Sequence, residues 1–291
     1  QVAGHILFAG GKRLRPLLMI LSARLCGYQG DHTARFSTIF EYLHAATLLH
    51  DDLVDGAEIR RGRRVANQVW DNPTAVLTGD FLLARGLSIA ADTGLSGVIQ
   101  TIARITENMS QGEVRQLQRK GDISLTETEY LEVIRCKTAV LFEGACRSGA
   151  LVAGADAGKV QSLTDYGYQL GLAFQMADDL LDYTQDIASL GKQAGADLRE
   201  GKLTLPLIHA LSQAPESDRE RMIAMLQKAD FSSAEFTDLV GMLERHGGIA
   251  YTRAAAQARI GAAKAALDLF EDSATRQLLL DIADYALIRT A

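Results

Sequence analysis

The sequence predicts an all-α fold, a single-domain bundle of roughly ten or more helices. Three observations carry this. Apolar residues recur at helical spacing almost throughout, and no segment alternates with the period of two that a strand requires. Hydrophobic residues make up 47% of the 291 positions and proline only 4 of them, a composition of helix formers with few breakers. No Pro/Ser-rich linker or low-complexity run divides residues 1–291, and a chain of this length can bury one sizeable core.

Taken in order, the first helix is expected to start near Arg13, with Pro16 in its first turn, where a missing N–H is tolerated. A turn at Gly27–Asp31 leads into a long helix that ends in Asp51–Asp55. Asn72-Pro73 opens the next, to about Ala91, and Thr93-Gly94 breaks it. Leu95–Arg119 follows, closed by Lys120-Gly121-Asp122. Ser124 or Thr126 caps a helix to about Gly154, and Lys159–Thr184 forms another. The long irregular stretch Asp186–Lys202 is polar, glycine-rich and basic, the composition of a functional loop. Shorter helices start near Thr204, Ser217, Ser233 and Gly248, and a last one covers Ala274–Arg289.

A net charge of −6 argues against general affinity for nucleic acid or anionic membrane. The three cysteines, Cys26, Cys136 and Cys146, are widely spaced and form no metal-ligand pattern, so free thiols in a reducing cytoplasm are expected. No signal peptide or uninterrupted apolar run of spanning length is visible. The chain begins at Gln1 rather than Met, and an N-terminal piece is expected to be missing.

Chemistry is concentrated in two acidic clusters. Asp51, Asp52 and Asp55 follow an apolar helical run, and Asp51 and Asp55 are spaced to project from one helix face. Two such carboxylates repel unless a cation sits between them, and Mg²⁺ takes carboxylate and phosphate oxygens together. Asp178, Asp179 and Asp182 repeat the spacing at the end of another long helix. One such cluster is commonly a solvated helix end. Two, if their helices face each other, would hold several Mg²⁺ ions around a diphosphate. A cationic complement accompanies them: Lys12 and Arg15 at a glycine-preceded helix start, Arg60 and Arg61 just after the first cluster, Lys137 beside Thr138, and Lys192 and Lys202 bracketing the glycine-rich loop.

The segments GGKRLRP, LLHDDLVD, RRG, CKTAVLFE, FQMADDLLDYTQD and GADLREGKLTLPL stand in an order that resembles the trans-isoprenyl diphosphate synthases, the polyprenyl synthetase family. The resemblance implies helices around a deep central cavity, a homodimer, and head-to-tail 1′–4 addition of isopentenyl diphosphate to an allylic diphosphate. It implies three Mg²⁺ held by Asp51, Asp52, Asp55, Asp178 and Asp182, the last through water. Isopentenyl diphosphate falls to Lys12, Arg15, His44 and Arg61. The allylic diphosphate falls to Arg60, Lys137, Thr138, Gln175, Lys192 and Lys202, with the oxygens of Thr138 and Gln175 stabilising the cation that forms. His44 lies two helical turns before Asp51 on much the same face; elsewhere a lone His on an apolar face is more often structural.

Product length is written upstream of Asp51. An extended isoprene unit is about as long as one helical turn, about 5 Å, so each turn back from the aspartates is one unit further along the wall. Ala46 and Thr47 are small, where short-chain members of the family carry an aromatic; Leu43, Phe40 and, on a facing helix, Ile102, Ile105 or Met109 are candidates for the floor or plain core. The match is most like the long-chain octaprenyl, solanesyl and decaprenyl synthases, whose C40 to C50 products become quinone side chains and call for transient membrane contact at release. The alternatives are a shorter-chain synthase, a class I terpene cyclase, which has no use for Lys12, Arg15 and His44, and a non-catalytic synthase subunit.

Overall fold

In the computed structural model, residues 1–184, 195–228 and 231–287 are described. They are built from helices: α1 Val2–Leu7, α2 Leu14–Leu25, α3 Thr33–Val54, α4 Ala66–Val69, α5 Asn72–Asp92, α6 Ser96–Gln118, α7 Glu127–Ile134, α8 Val140–Val152, α9 Ala157–Thr184, α10 Ala196–Arg199, α11 Leu205–Gln213, α12 Glu216–Leu226, α13 Ser233–Arg245, α14 Gly248–Ala266 and α15 Ala274–Leu287. A two-residue pair of strands, β1 Ile59–Arg60 and β2 Arg63–Arg64, is the only sheet among the described residues. The class is all-α as expected.

Local chemistry explains most boundaries. Thr126 caps α7 in a reciprocal capping box with Glu129, and Ser232 does the same for α13 with Glu235. Asp71 accepts the Thr74 N–H ahead of Pro73 at the start of α5. Two features depart from expectation. Helix α1 precedes the predicted first helix. The helix expected from Ser124 or Thr126 to Gly154 is interrupted by a π turn, Arg135–Ala139, between α7 and α8. Helix α5 is, by length and composition, apolar enough to cross a membrane, and a third of that window is buried. Asp80 and Arg85 interrupt it, and it packs along α3.

The chain divides into two compact units, each assembled from three stretches of sequence. The first comprises Gln1–Glu107, Val140–Tyr168 and Ala265–Leu280. Here α3 packs on α5 and α2 on α8. Glycines set these distances: a methyl at Gly149 in α8 would lie 2.3 Å from the Met19 carbonyl oxygen, and one at Gly79 would meet the ring of His50. Phe40, Leu43 and Leu49 of α3 are fully buried in the core. The outer side of α5 leaves Leu77 66% and Phe81 61% exposed.

The second unit comprises Asn108–Ala139, Gln169–Lys264 and Asp281–Ala291. Gly171 of α9 lets the helix approach Ala139, where a methyl would fall 2.5 Å from its Cα. Tyr183 stacks on Phe236 and Phe236 on Phe231, with the Arg199 guanidinium 3.9 Å above the Phe231 ring. All three cysteines are free thiols.

Candidate active site

In the first unit the glycine-preceded helix start and the β1–β2 hairpin build one cationic corner. Gly10 and Gly11 have φ of +94° and +122°, which only glycine adopts readily. The lack of a side chain at Gly11 also lets the Arg61 guanidinium lie against it, and Arg61 Nη1 donates to the Gly10 carbonyl. Arg61 and Gly62 are the two central residues of the hairpin, both at positive φ, the conformation that matches the strands' twist. Among the described residues the non-glycine positions with positive φ are Arg13 and Arg61. Each costs roughly 1 kcal/mol in backbone strain, and such strain collects at functional sites. Arg13 pairs with Glu41 and donates to the Leu7 carbonyl, so it braces the corner. Arg15 lies 4.9 Å from the ring centre of Phe142, and Lys12 is exposed.

His44 sits among these arginines. Burial, reinforced by Arg15, Arg61, Arg60 and Arg13, holds its pKa well below the ordinary value, so its ring is neutral. Arg13 and Arg60 are paired with Glu41 and Asp52, and with Arg15 and Arg61 they give the corner a concentration of guanidinium groups suited to an anion. If this corner takes the isopentenyl diphosphate that the resemblance implies, replacing His44 by Gln should raise its KM by about 10-fold with kcat within about twofold, the loss of one hydrogen bond to a charged group. An unchanged KM in steady-state kinetics would remove His44 from the site.

Two turns along the same face, Asp51 stands in the last turn of α3, and Asp55 is its C-cap, its N–H donating to the Asp51 carbonyl at 2.8 Å. Asp52 is a correction to the expected metal set. The 100° turn per residue carries it inward, where it is 1% exposed and accepts from Arg60 Nε at 2.6 Å. It fixes Arg60 and the hairpin rather than presenting an oxygen outward.

The product-wall residues of α3 are distributed over its surface. Thr47 shares the Asp51 side and donates to the His44 carbonyl at 2.9 Å. Leu43 packs against Gly86 of α5. Ala46 belongs to a cluster with Ile6, Leu49, Ala66, Ala75 and Leu82. Ile102 is fully buried, as are Ile105 and Met109 nearly so, and Ile105 fills the space left by Gly144, an ordinary core contact.

In the second unit the π turn presents Lys137 and Thr138 where α6 and α9 come closest to it; a methyl on Gly112 would lie 2.6 Å from Cys136 Cβ. π turns concentrate at functional sites because the extra residue re-aims side chains. Glu132 fastens the turn, accepting from Arg135 Nε and Nη2 at 2.8 Å each and from Arg115 Nη1 at 2.7 Å. Hydrogen bonds from Arg135, with burial opposing, pull its pKa from 4.5 to about 2. Glu132 therefore adds stability above pH 4.5 that is lost as pH falls toward 2. At 40% exposure, solvent screening holds this to under about 1 kcal/mol. Urea unfolding should show Glu132→Gln less stable than the parent at neutral pH, the gap closing in acid; a gap that persists in acid would assign the effect to packing.

Lys137 Nζ pairs with Glu113 Oε2 at 2.6 Å. Thr138 Oγ1 donates to Gln175 Oε1 at 2.7 Å, Gln175 Nε2 donates to Asp179 Oδ1 at 2.8 Å, and the Tyr130 hydroxyl donates to Asp179 Oδ2 at 2.5 Å. Burial raises the Asp179 pKa against the pull of these two donors. Asp178, next to it, is exposed. Asp182 accepts the backbone N–H groups of Ala196 and Asp197 at 3.0 and 3.1 Å, so it also tethers α10 to the end of α9. Lys202 Nζ pairs with Glu200. Lys192 lies outside the described residues, as does Arg289. Sequence reasoning missed Tyr130; its signal was the spacing of seven that sets it two turns before Lys137.

The donor chemistry suits a hard divalent ion. Asp51 and Asp55 in the first unit and Asp178 in the second offer carboxylate oxygens at partly or fully exposed positions, hard donors of the kind that Mg²⁺ takes together with phosphate and water.

The chain belongs to the polyprenyl synthetase family, whose model matches residues 1–243. It is 36% identical over 289 residues to the octaprenyl diphosphate synthase of Escherichia coli K12, covering 99% of this chain and 89% of that one. A decaprenyl diphosphate synthase from Rhodobacter capsulatus superposes with a TM-score of 0.94 at 42% identity, covering 100% of this chain and 89% of that one. A polyprenyl synthase from Caulobacter crescentus CB15, complexed with calcium and isoprenyl diphosphate, does so with a TM-score of 0.94 at 41% identity, covering 100% and 88%.

Proposed function

We propose that this chain is a Mg²⁺-dependent trans-prenyltransferase. It adds isopentenyl diphosphate repeatedly to an allylic diphosphate, farnesyl or geranylgeranyl, and releases an all-trans polyprenyl diphosphate of C40 to C50 for quinone side chains. The observation that carries the reading is the arginine-walled, neutral His44 on the same helix as Asp51. A cyclase handles one diphosphate; a second anion site beside the acid motif is needed only when two diphosphates react. The names of the relatives and the small residues Ala46 and Thr47 favour the long product.

Mg²⁺, three ions per site in this reading, would neutralise the allylic diphosphate and so assist its departure. The chain's own residues do the rest. Asp51, Asp55 and Asp178 provide the carboxylate oxygens, with Asp182 acting through water. Lys137, Lys192, Lys202 and Arg60 attract the allylic diphosphate, and Lys137 must exchange its Glu113 partner for it. The allylic C–O bond breaks with its electron pair leaving on the diphosphate. The double bond of isopentenyl diphosphate, held by Lys12, Arg15, His44 and Arg61, attacks the cation from C4. A proton then leaves C2 for a diphosphate oxygen. Preorganised dipoles and charges, with no side-chain nucleophile, supply the rate. A second copy of the chain would cover the exposed Leu77 and Phe81 of α5 and give a homodimer, acting in the cytosol with transient membrane contact as product leaves.

Incubation with farnesyl diphosphate, isopentenyl diphosphate and Mg²⁺, followed by chain-length analysis, tests this. Products of C40 to C50 are expected. Cyclic hydrocarbons or no turnover would overturn the reading, and a C20 limit would reassign it to the short-chain synthases.

A further inference from the structure

The three aspartates of the second acid motif are not equivalent. Asp179 is 3% exposed and faces away from solvent, with both oxygens engaged by Tyr130 and Gln175. Both of its oxygens accept, one from the Tyr130 hydroxyl and one from the Gln175 amide, and this fixes the polarity of everything attached to them. Gln175 must offer its NH₂ to Asp179, so its carbonyl oxygen points the other way, to Thr138. Thr138 must then give its single proton to Gln175. What remains on the Thr138 oxygen for any other contact is lone pair alone. A hydroxyl with its proton held inward turns the negative end of its dipole outward and stabilises a cation; turned around, the same group opposes one.

We propose that Tyr130 and Asp179 are positioning residues that set this polarity, so that Thr138 meets the allylic carbon as an acceptor when positive charge develops there. The inference rests on the prenyl-transfer reading. Asp179 holds the far end of the chain of hydrogen bonds, and Tyr130 fills the carboxylate oxygen that Gln175 leaves. Neither touches the substrate. The buried carboxyl group thus acts through two intervening side chains, and its shape matters less than its acceptance of a hydrogen bond at both oxygens.

Asp179→Asn isolates that property, because the amide has the same shape and can donate. A donor at position 179 allows Gln175 to turn, so that Gln175 Nε2 faces Thr138 and the Thr138 proton swings outward. The expected result is a fall in kcat of roughly 100-fold, the scale of losing a preorganised catalytic dipole. Melting temperature without metal should stay near the parent value. So should Kd for an unreactive thio analogue of the allylic diphosphate. Adding Thr138→Val to Asp179→Asn should give no further loss, because the misdirected hydroxyl is then gone. A parental kcat in Asp179→Asn, or losses that multiply in the double variant, overturns the proposal.

If Asp179→Asn does not fold, Tyr130→Phe serves. It removes one donor and leaves the direction of the others, so kcat should fall about 3- to 10-fold, one net hydrogen bond, with Kd for the analogue unchanged. A parental kcat there overturns the role of Tyr130, and a loss confined to Kd overturns the positioning role. A parent protein that fails to condense the two diphosphates overturns the functional reading instead, so the two failures are distinguishable.

Discussion

Asp51→Ala is expected to lower turnover by roughly 10³-fold or more while the protein without metal keeps its fold. Asp51 lies in the last turn of α3, at the negative end of the helix dipole and one turn from Asp55. Asp178→Ala, at an exposed position of α9, should lose activity on the same scale.

Asp52→Ala makes the contrast. Its carboxylate is buried against Arg60, which is itself only a quarter exposed, so truncation leaves a half-buried guanidinium without that partner and should cost about 1–3 kcal/mol of stability. Thermal unfolding and single-turnover kinetics on the three variants separate the roles. Substantial retained activity in Asp51→Ala, or a drop in its stability like that of Asp52→Ala, would sink the metal assignment.

How far the sequence announced this arrangement depends on the range of the force involved. Capping boxes at Thr126 and Ser232 and the break at Thr93-Gly94 act within a few residues, and they are readable directly; α13 starts at Ser233, as expected. The acid motifs and the glycine-preceded basic segment are equally plain. The inward turn of Asp52 follows from helical period alone and is legible once the three aspartates are sorted by helix face and not by type. The π turn at Arg135–Ala139 is not readable, because one inserted residue leaves the apolar pattern almost unchanged and the close approach of Gly112 and Gly171 to the turn exists only in the folded chain. The Thr138–Gln175–Asp179–Tyr130 connection joins residues up to 49 apart in sequence and exists only once α7 and α9 pack. The left-handed φ of Arg61 was hidden for a similar reason: the following glycine signals a turn, but only the hairpin shows that both residues share it.

Ala46→Phe, supplied with geranyl diphosphate as the allylic starter, should shorten the product to about C15 with little change in melting temperature. The site lies on α3 between Asp51 and Phe40, a little over one turn from the acid motif, so a ring there would stop growth about one isoprene unit beyond the allylic starter's head. Ala46 is 2% exposed and has Ala45, Ala66 and Ala75 in its cluster, so the space available to a new ring decides between two physical outcomes. If Ala46 borders the product path, the ring enters volume that the growing chain would otherwise occupy, and folding is hardly affected. If Ala46 is ordinary core, the ring overfills a close-packed region, stability falls by about 1–3 kcal/mol, and the product keeps its length. Measuring chain length and melting temperature on the same preparation therefore gives opposite pairs of results. A long product from a destabilised variant would remove Ala46 from the wall and leave Thr47, which shares the Asp51 side of α3, as the position to enlarge next.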